Sequence, residues 1–180
     1  MRKPEDIKIG DKTLAEVLEN HKHWWNEDCE GWGDMRADLR RADLRGAYLR
    51  RADLSGADLC EAYLSGAKNV PFIPYACPDF GGFIGFKKAS GYIVVLEIPE
   101  DAKRLSATGR KCRCDKARVV EIQNIDGTKA DVTEVRSGYD KDFIYKVGEV
   151  VTVDNFCEDR WQECSAGIHF FINRQEAVNY

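Results

Sequence analysis

The sequence predicts a mixed fold: a short coiled stub built on a five-residue repeat, closed at its N-terminal end by a helix and followed by a small α+β domain with a mainly antiparallel sheet. Three observations predict it. Ala and Leu recur together every five residues across 36–67; a capping sequence and an apolar helical face precede them; and runs of β-branched and aromatic residues, broken by Gly, Pro and Asp-Gly, follow them. The chain has 180 residues, 43% of them apolar, enough to bury a core. The expected division is an N-terminal capping region over 1–35, the repeat over 36–70, a linker over 71–85 and the α+β domain over 86–180.

The first element is a helix. Thr13-Leu-Ala-Glu16 has the spacing of a capping box, in which the Thr hydroxyl and the Glu carboxylate each satisfy an orphan backbone N–H. Leu14, Val17 and Leu18, then Trp24 and Trp25, follow on a compatible helical face. This helix is expected to cover the open end of the stub.

In the repeat, Ala stands at 37, 42, 47, 52, 57, 62 and 67 and Leu at 39, 44, 49, 54, 59 and 64, six A-x-L-x-x units without a slip. A period of five fits neither the 3.6 of a helix nor the 2.0 of a strand, so neither element keeps both residue types on one face. If each unit is one side of a square coil, four units close a turn; Ala and Leu then point inward, and Asp, Arg and Ser outward. These units, A-D-L-R-R, A-D-L-R-G, A-Y-L-R-R, A-D-L-S-G, A-D-L-C-E and A-Y-L-S-G, resemble the pentapeptide-repeat proteins, and the resemblance implies a right-handed quadrilateral β-helix. Tyr48 and Tyr63 replace the usual Asp or Asn at an outward position. Long acidic members of that family mimic DNA and bind type II topoisomerases. This segment departs from them, because it carries six Arg against four Asp and one Glu and extends only roughly 7 Å along its axis at the ~4.8 Å strand spacing. A rigid spacer or docking face is the expectation, with self-association through the β-helix end or face compatible with it.

Pro71, Pro74 and Pro78 with Gly81-Gly82 mark an irregular connection. The next expected strands are 91–98, ended by Pro99, then 117–123 and 130–135 flanking an Asp126-Gly127 turn, and 143–147 meeting 149–153 across Gly148. A largely buried strand over 168–172 leads to a short terminal helix capped by Asn173. The strings Arg110-Lys-Cys-Arg113 and Trp161-Gln-Glu-Cys-Ser-Ala-Gly-Ile-His-Phe-Phe-Ile172 resemble a C-terminal domain of unknown function carried by phage and bacterial pentapeptide-repeat proteins. That resemblance covers 86–180 and implies no activity.

Seven cysteines form no framework spacing, and no run of 18 uncharged apolar residues or secretory leader is present, so a cytoplasmic protein with free thiols and no membrane partner is expected. The net charge is −4, yet residues 103–118 hold seven basic residues and one Asp. Arg104, Arg110, Lys111 and Arg113, around Gly109, are the candidate anion or nucleotide site, since guanidinium groups bind oxyanions bidentately and Gly admits backbone N–H groups. The competing reading is a solvated loop packed on acidic surface. Nucleic acid is not expected as a partner.

Cys112-x-Cys114, Cys157, Cys164 and His169 offer zinc-type donors without a zinc spacing, so buried thiols and no metal are expected, and no cofactor. Gly167-Ile-His-Phe-Phe with Ala177 and Tyr180 resembles the strand and helix of ADP-ribosyltransferases, which would place His169 in a cleft. No catalytic residue is assigned, since no nucleophile elbow or Walker loop occurs. The expected function is a non-enzymatic binding protein of phage or mobile-element type, taking a protein partner or a small anion; the alternative is an ADP-ribosyltransferase-like enzyme. Replacing Leu49 by Asp tests the inward placement of Leu: it should cost about 3 kcal/mol or more in thermal unfolding, and an unchanged midpoint would put Leu49 outside the interior.

Overall fold

A computed structural model describes residues 1–50, 52–70, 72–162 and 164–180. Arg51 of the repeat, Pro71 of the expected linker and Glu163 of the Trp161 string lie outside the described residues. The chain divides into two compact units, Met1–Pro74 and Tyr75–Tyr180. Among the described residues no helix is long and apolar enough to cross a membrane.

In the first unit, β1 (Lys8–Ile9) and β2 (Lys12–Thr13) form a small antiparallel hairpin around Gly10, leading into α1 (Leu14–Asn26). The capping box is present in both directions: the Thr13 hydroxyl oxygen accepts from the Glu16 backbone N–H, and Glu16 accepts from that of Thr13 at 2.7 Å. Leu14 and His21 are the buried residues of this helix, while Trp25 is exposed, so the apolar face expected to run to Trp25 stops at Trp24. His21 stands at the helical spacing i+7 from Leu14 and links α1 to the repeat. Its Nδ1 accepts from the Ala37 N–H at 3.2 Å, so Nε2 carries the hydrogen and donates it to the Ser55 carbonyl at 3.0 Å.

Local hydrogen bonding accounts for the period of five. Each Leu carbonyl accepts from the N–H of the Ala three residues on, from Leu39 and Ala42 through Leu64 and Ala67, so every unit ends in a tight turn. The third turn residue takes positive φ at Arg41, Gly46, Gly56, Glu61 and Gly66, which explains the recurring Gly. Asp38, Asp43, Asp53 and Asp58 each accept from the backbone N–H two residues later, an Asx turn that opens the corner in these four units. All six Leu side chains of the repeat are buried. Parallel bridges join Asp38 to Asp58, Asp43 to Tyr63 and Tyr48 to Lys68, residues 20 apart. Arg2 fills the edge next to Ala47, donating its N–H to the Gly46 carbonyl and accepting from Tyr48.

In the second unit, residues 75–82 contain neither helix nor strand. Its strands are β3 (Phe83–Ala89), β4 (Tyr92–Ile98), β5 (Arg104–Ser106), β6 (Cys112–Cys114), β7 (Lys116–Gln123), β8 (Glu134–Arg136), β9 (Ile144–Lys146), β10 (Val150–Thr152) and β11 (Ile168–Phe170), followed by α2 (Arg174–Asn179). They form antiparallel sheets ordered β10-β7-β4-β3, β11-β6-β5 and β8-β9. A bridge between Phe86 and Phe171 ties the β3 edge to the end of β11. The core lies between the sheets: Val94, Leu96 and Ile98 of β4, Ala117 and Val119 of β7, Cys112 and Cys114 of β6, and Ile168 and Phe170 of β11. Asn173 caps α2 through the Gln175 N–H at 2.8 Å.

The expected hairpin across Gly148 does not form. The strand at Ile144–Lys146 pairs with Glu134–Arg136, and that at Val150–Thr152 pairs with β7. A single residue is too short to reverse a strand, since the tightest hairpins need a two-residue loop. Gly148, at φ 87, instead hands the chain over, with its N–H donated to the Val119 carbonyl. The expected strand at 130–135 is correspondingly reduced to β8, preceded by a bridge between Lys129 and Gln123.

Gly85 is required by packing. A Cβ there would lie 2.6 Å from Cδ2 of Phe170, a fully buried ring. Gly85→Ala should destabilise the protein by about 1–3 kcal/mol in denaturant unfolding. Combining it with Phe170→Leu should cost less than the sum of the two single changes; strict additivity would mean that the ring does not set the penalty.

Candidate functional site

Arg104 and Arg113 lie on the small sheet β11-β6-β5, while Arg110 and Lys111 lie in the connection between β5 and β6. Arg113 pairs with Leu105 and His169, and Cys114 with Arg104 and Ile168. Paired residues share a face and neighbours alternate, so Arg113 and His169 point to one side while Arg104, Cys112 and Cys114 point to the other. The four residues expected to share one anion are therefore not gathered into one site.

Arg113 is only 2% exposed, and among the described residues no carboxylate bonds its guanidinium. Nη1 donates to the carbonyls of Cys157 at 2.7 Å and Ala166 at 3.0 Å, and Nη2 donates to that of Asp159 at 2.8 Å. The Phe156 ring lies 5.4 Å away. Three carbonyl dipoles replace a counter-ion and fix Cys157, Asp159 and Ala166 against β6. Arg104 acts likewise on the other face: Nε donates to the Ala102 carbonyl, Nη1 to that of Gly81, and Nη2 to those of Pro99 and Glu100, with the Phe83 ring 5.2 Å away.

Arg160 is a third such clamp, which the sequence reading did not single out. It donates to the carbonyls of Ser106 and Ala107 at 2.9 Å and lies 4.5 Å from the Tyr75 ring and 4.6 Å from the Trp161 ring. Burial lowers its pKa below the usual arginine value. Its neighbour Trp161 was the only signal in the sequence that could have pointed to it, as an aromatic platform for a guanidinium.

Arg110 and Lys111 are brought together. Arg110 Nε contacts Glu176 Oε1 at 2.8 Å, while Lys111 Nζ lies 5.6 Å from the Tyr180 ring and 3.7 Å from Cys164 Sγ. Glu176 and Tyr180 are four residues apart, so both basic groups meet the same end of the chain. His169 has its Nε2 shut off from solvent, a poor position for a group meant to face a cleft. Its carbonyl accepts from Lys87 Nζ at 3.3 Å, and burial lowers the pKa of that lysine. Cys112 and Cys114 are fully buried; contact with Cys77 and burial raise the Cys112 pKa, and burial raises that of Cys114, so both stay protonated and do not supply a thiolate. All seven cysteines are free.

The chemistry of this region is therefore carbonyl clamping by its buried arginines, with Arg110 and Lys111 beside α2 and with Lys103, Lys116 and Arg118 in ion pairs with Glu158, Asp101 and Glu97. Arg113→Ala should cost about 3 kcal/mol or more in urea unfolding, because three carbonyls lose their donor. Arg113→Lys should cost about 1–2 kcal/mol, since an ammonium keeps the charge but cannot span the three acceptors. Equal tolerance of both changes would mean that the fork does not hold these carbonyls.

Comparison with known proteins gives two matches. Residues 37–68 match pentapeptide repeats, and residues 73–177 match a family of unknown function, DUF5758. No curated protein and no solved structure matches the chain. With most of its length spanned by that match, the chain belongs to the DUF5758 family of unknown function and carries a pentapeptide-repeat segment ahead of the family's domain.

Proposed function

We propose that the protein is a non-enzymatic interaction protein of phage or mobile-element type, working in a reducing cytoplasm. In this reading the repeat is a short right-handed quadrilateral β-helix that serves as a rigid scaffold, and the second unit recognises a protein or a small anion. The observation that carries it is the use made of arginine: the guanidinium donors of Arg104, Arg113 and Arg160 go to backbone carbonyls of the protein's own loops. These groups build a surface and do not converge on a reacting atom. The repeat supports the scaffold part, because its interior is Leu and Ala and its outward side chains pair with one another, as Arg41 does with Glu61 at 2.7 Å.

Recognition falls to Arg110 and Lys111. Glu176 already neutralises Arg110, so an incoming anion must displace that carboxylate, which favours a partner offering more than one acidic group. Calorimetric titration with a panel of nucleotides and inorganic phosphate at ~0.15 M salt, where long-range attraction is screened, tests this. Saturable binding that disappears in the double variant Arg110→Ala/Lys111→Ala is expected. Binding untouched by that change would place the site elsewhere, and an inert parent would leave recognition to a protein surface.

A further inference from the structure

The C-terminal end of α1 carries a cluster that the sequence reading passed over. α1 ends at Asn26 and is capped by Glu27, which takes the left-handed conformation at φ 54 and closes the helix through its N–H to the His23 carbonyl at 2.9 Å. This reversal turns the next two residues back toward the last helical turn. Among the described residues, one group of three or more His, Cys, Asp or Glu donors lies within 4.8 Å of one another: His23, Asp28 and Cys29. His23 Nδ1 meets Asp28 Oδ1 at 2.7 Å, and Cys29 Sγ donates to Met35 Sδ at 3.7 Å.

We propose that His23, Asp28 and Cys29 form a binding site for a zinc-class divalent cation, with a fourth position open to water. This lies in the first unit and is independent of the recognition surface above.

Two features favour a cation over a plain ion pair. An imidazole, a carboxylate and a thiolate together are the mixed N, O and S donors that zinc accepts in tetrahedral geometry. Ionised Asp28 and Cys29 also carry two negative charges, which balance a dication without a further partner. The site has an entry path, since the His23 and Asp28 side chains are 41% and 46% exposed. On binding, the Cys29 thiol loses its proton to solvent, its hydrogen bond to Met35 is given up, and the sulfur bonds the metal. The His23–Asp28 hydrogen bond is likewise exchanged for two bonds to the cation, the Nδ1 hydrogen passing through solvent to Nε2 so that the neutral imidazole ligates through Nδ1. Such a site would staple the helix end to the loop that leads into the repeat.

The test uses the full chain after chelator treatment, with Co(II) as probe and Zn(II) as competitor. Co(II) should give a sulfur-to-metal charge-transfer band that saturates at one equivalent and is removed by Zn(II). Cys29→Ser should abolish the band, His23→Gln and Asp28→Asn should each weaken binding about tenfold or more, and Cys60→Ser/Cys164→Ser should leave it intact. Zinc should raise the melting temperature of the parent but not of Cys29→Ser. Equal melting of the two in chelator confirms that the variant folds; were it lower, Asp28→Asn would carry the comparison. A parent without a saturable band, a band that survives Cys29→Ser, or one lost in Cys60→Ser/Cys164→Ser overturns the assignment.

Discussion

The constraint on which the second unit depends is the disposal of backbone carbonyls that no sheet can reach. The described residues of the connections 75–82, 99–103, 154–162 and 164–167 run between its strands with neither helix nor ladder to absorb their polar groups. Buried and unpaired, such groups would cost more than the core recovers. Arginine resolves this because one planar guanidinium offers five donors in a fixed fork. Arg104 gathers the first two connections, Arg113 and Arg160 tie down the third, and Arg174 closes the Asp126-Gly127 turn by donating to the carbonyls of Asn124 and Ile125.

This changes the meaning of the local charge. A segment of seven basic residues in an acidic chain reads as an electrostatic feature, yet its buried members act as hydrogen-bond donors at the roots of loops. Their charge is compensated by carbonyl dipoles and by aromatic faces, Phe83 for Arg104 and Phe156 for Arg113. The other five behave as surface charges: Lys103, Arg110, Lys116 and Arg118 form ion pairs with Glu158, Glu176, Asp101 and Glu97, and Lys111 lies beside the Tyr180 ring.

The repeat meets the same backbone problem by other means. Among the described residues it has almost no regular strand, so its corners satisfy themselves: Leu accepts from the N–H three residues on in every unit, and Asp accepts from the N–H two residues on in four of the six. What remains pairs with the chain 20 residues away. The cost of the corner is a left-handed residue, taken by Gly in three units and by Arg41 and Glu61 in two others, where an ion pair between the two side chains accompanies the strain.

The repeat, its inward Leu row, the capping box at Thr13, the strand over Tyr92–Ile98 and the Asn173 cap were legible in the sequence, because each rests on hydrogen bonds or side-chain periodicity spanning a few residues. The pairing of β8 with β9 and of β10 with β7 was not, since a run of apolar residues on either side of Gly148 does not say which edge it will meet. The candidate site was half legible: the basic residues stood out, but their roles did not. Arg113 finds its acceptors 44 to 53 residues along the chain, and Arg160 finds its own 53 and 54 residues back. Those partners are carbonyls, present at every residue and therefore invisible in composition. The sequence by itself determined the local turns and the inward residues; the tertiary structure alone decided which carbonyls each guanidinium would meet, because only folding brings a distant loop within hydrogen-bond reach.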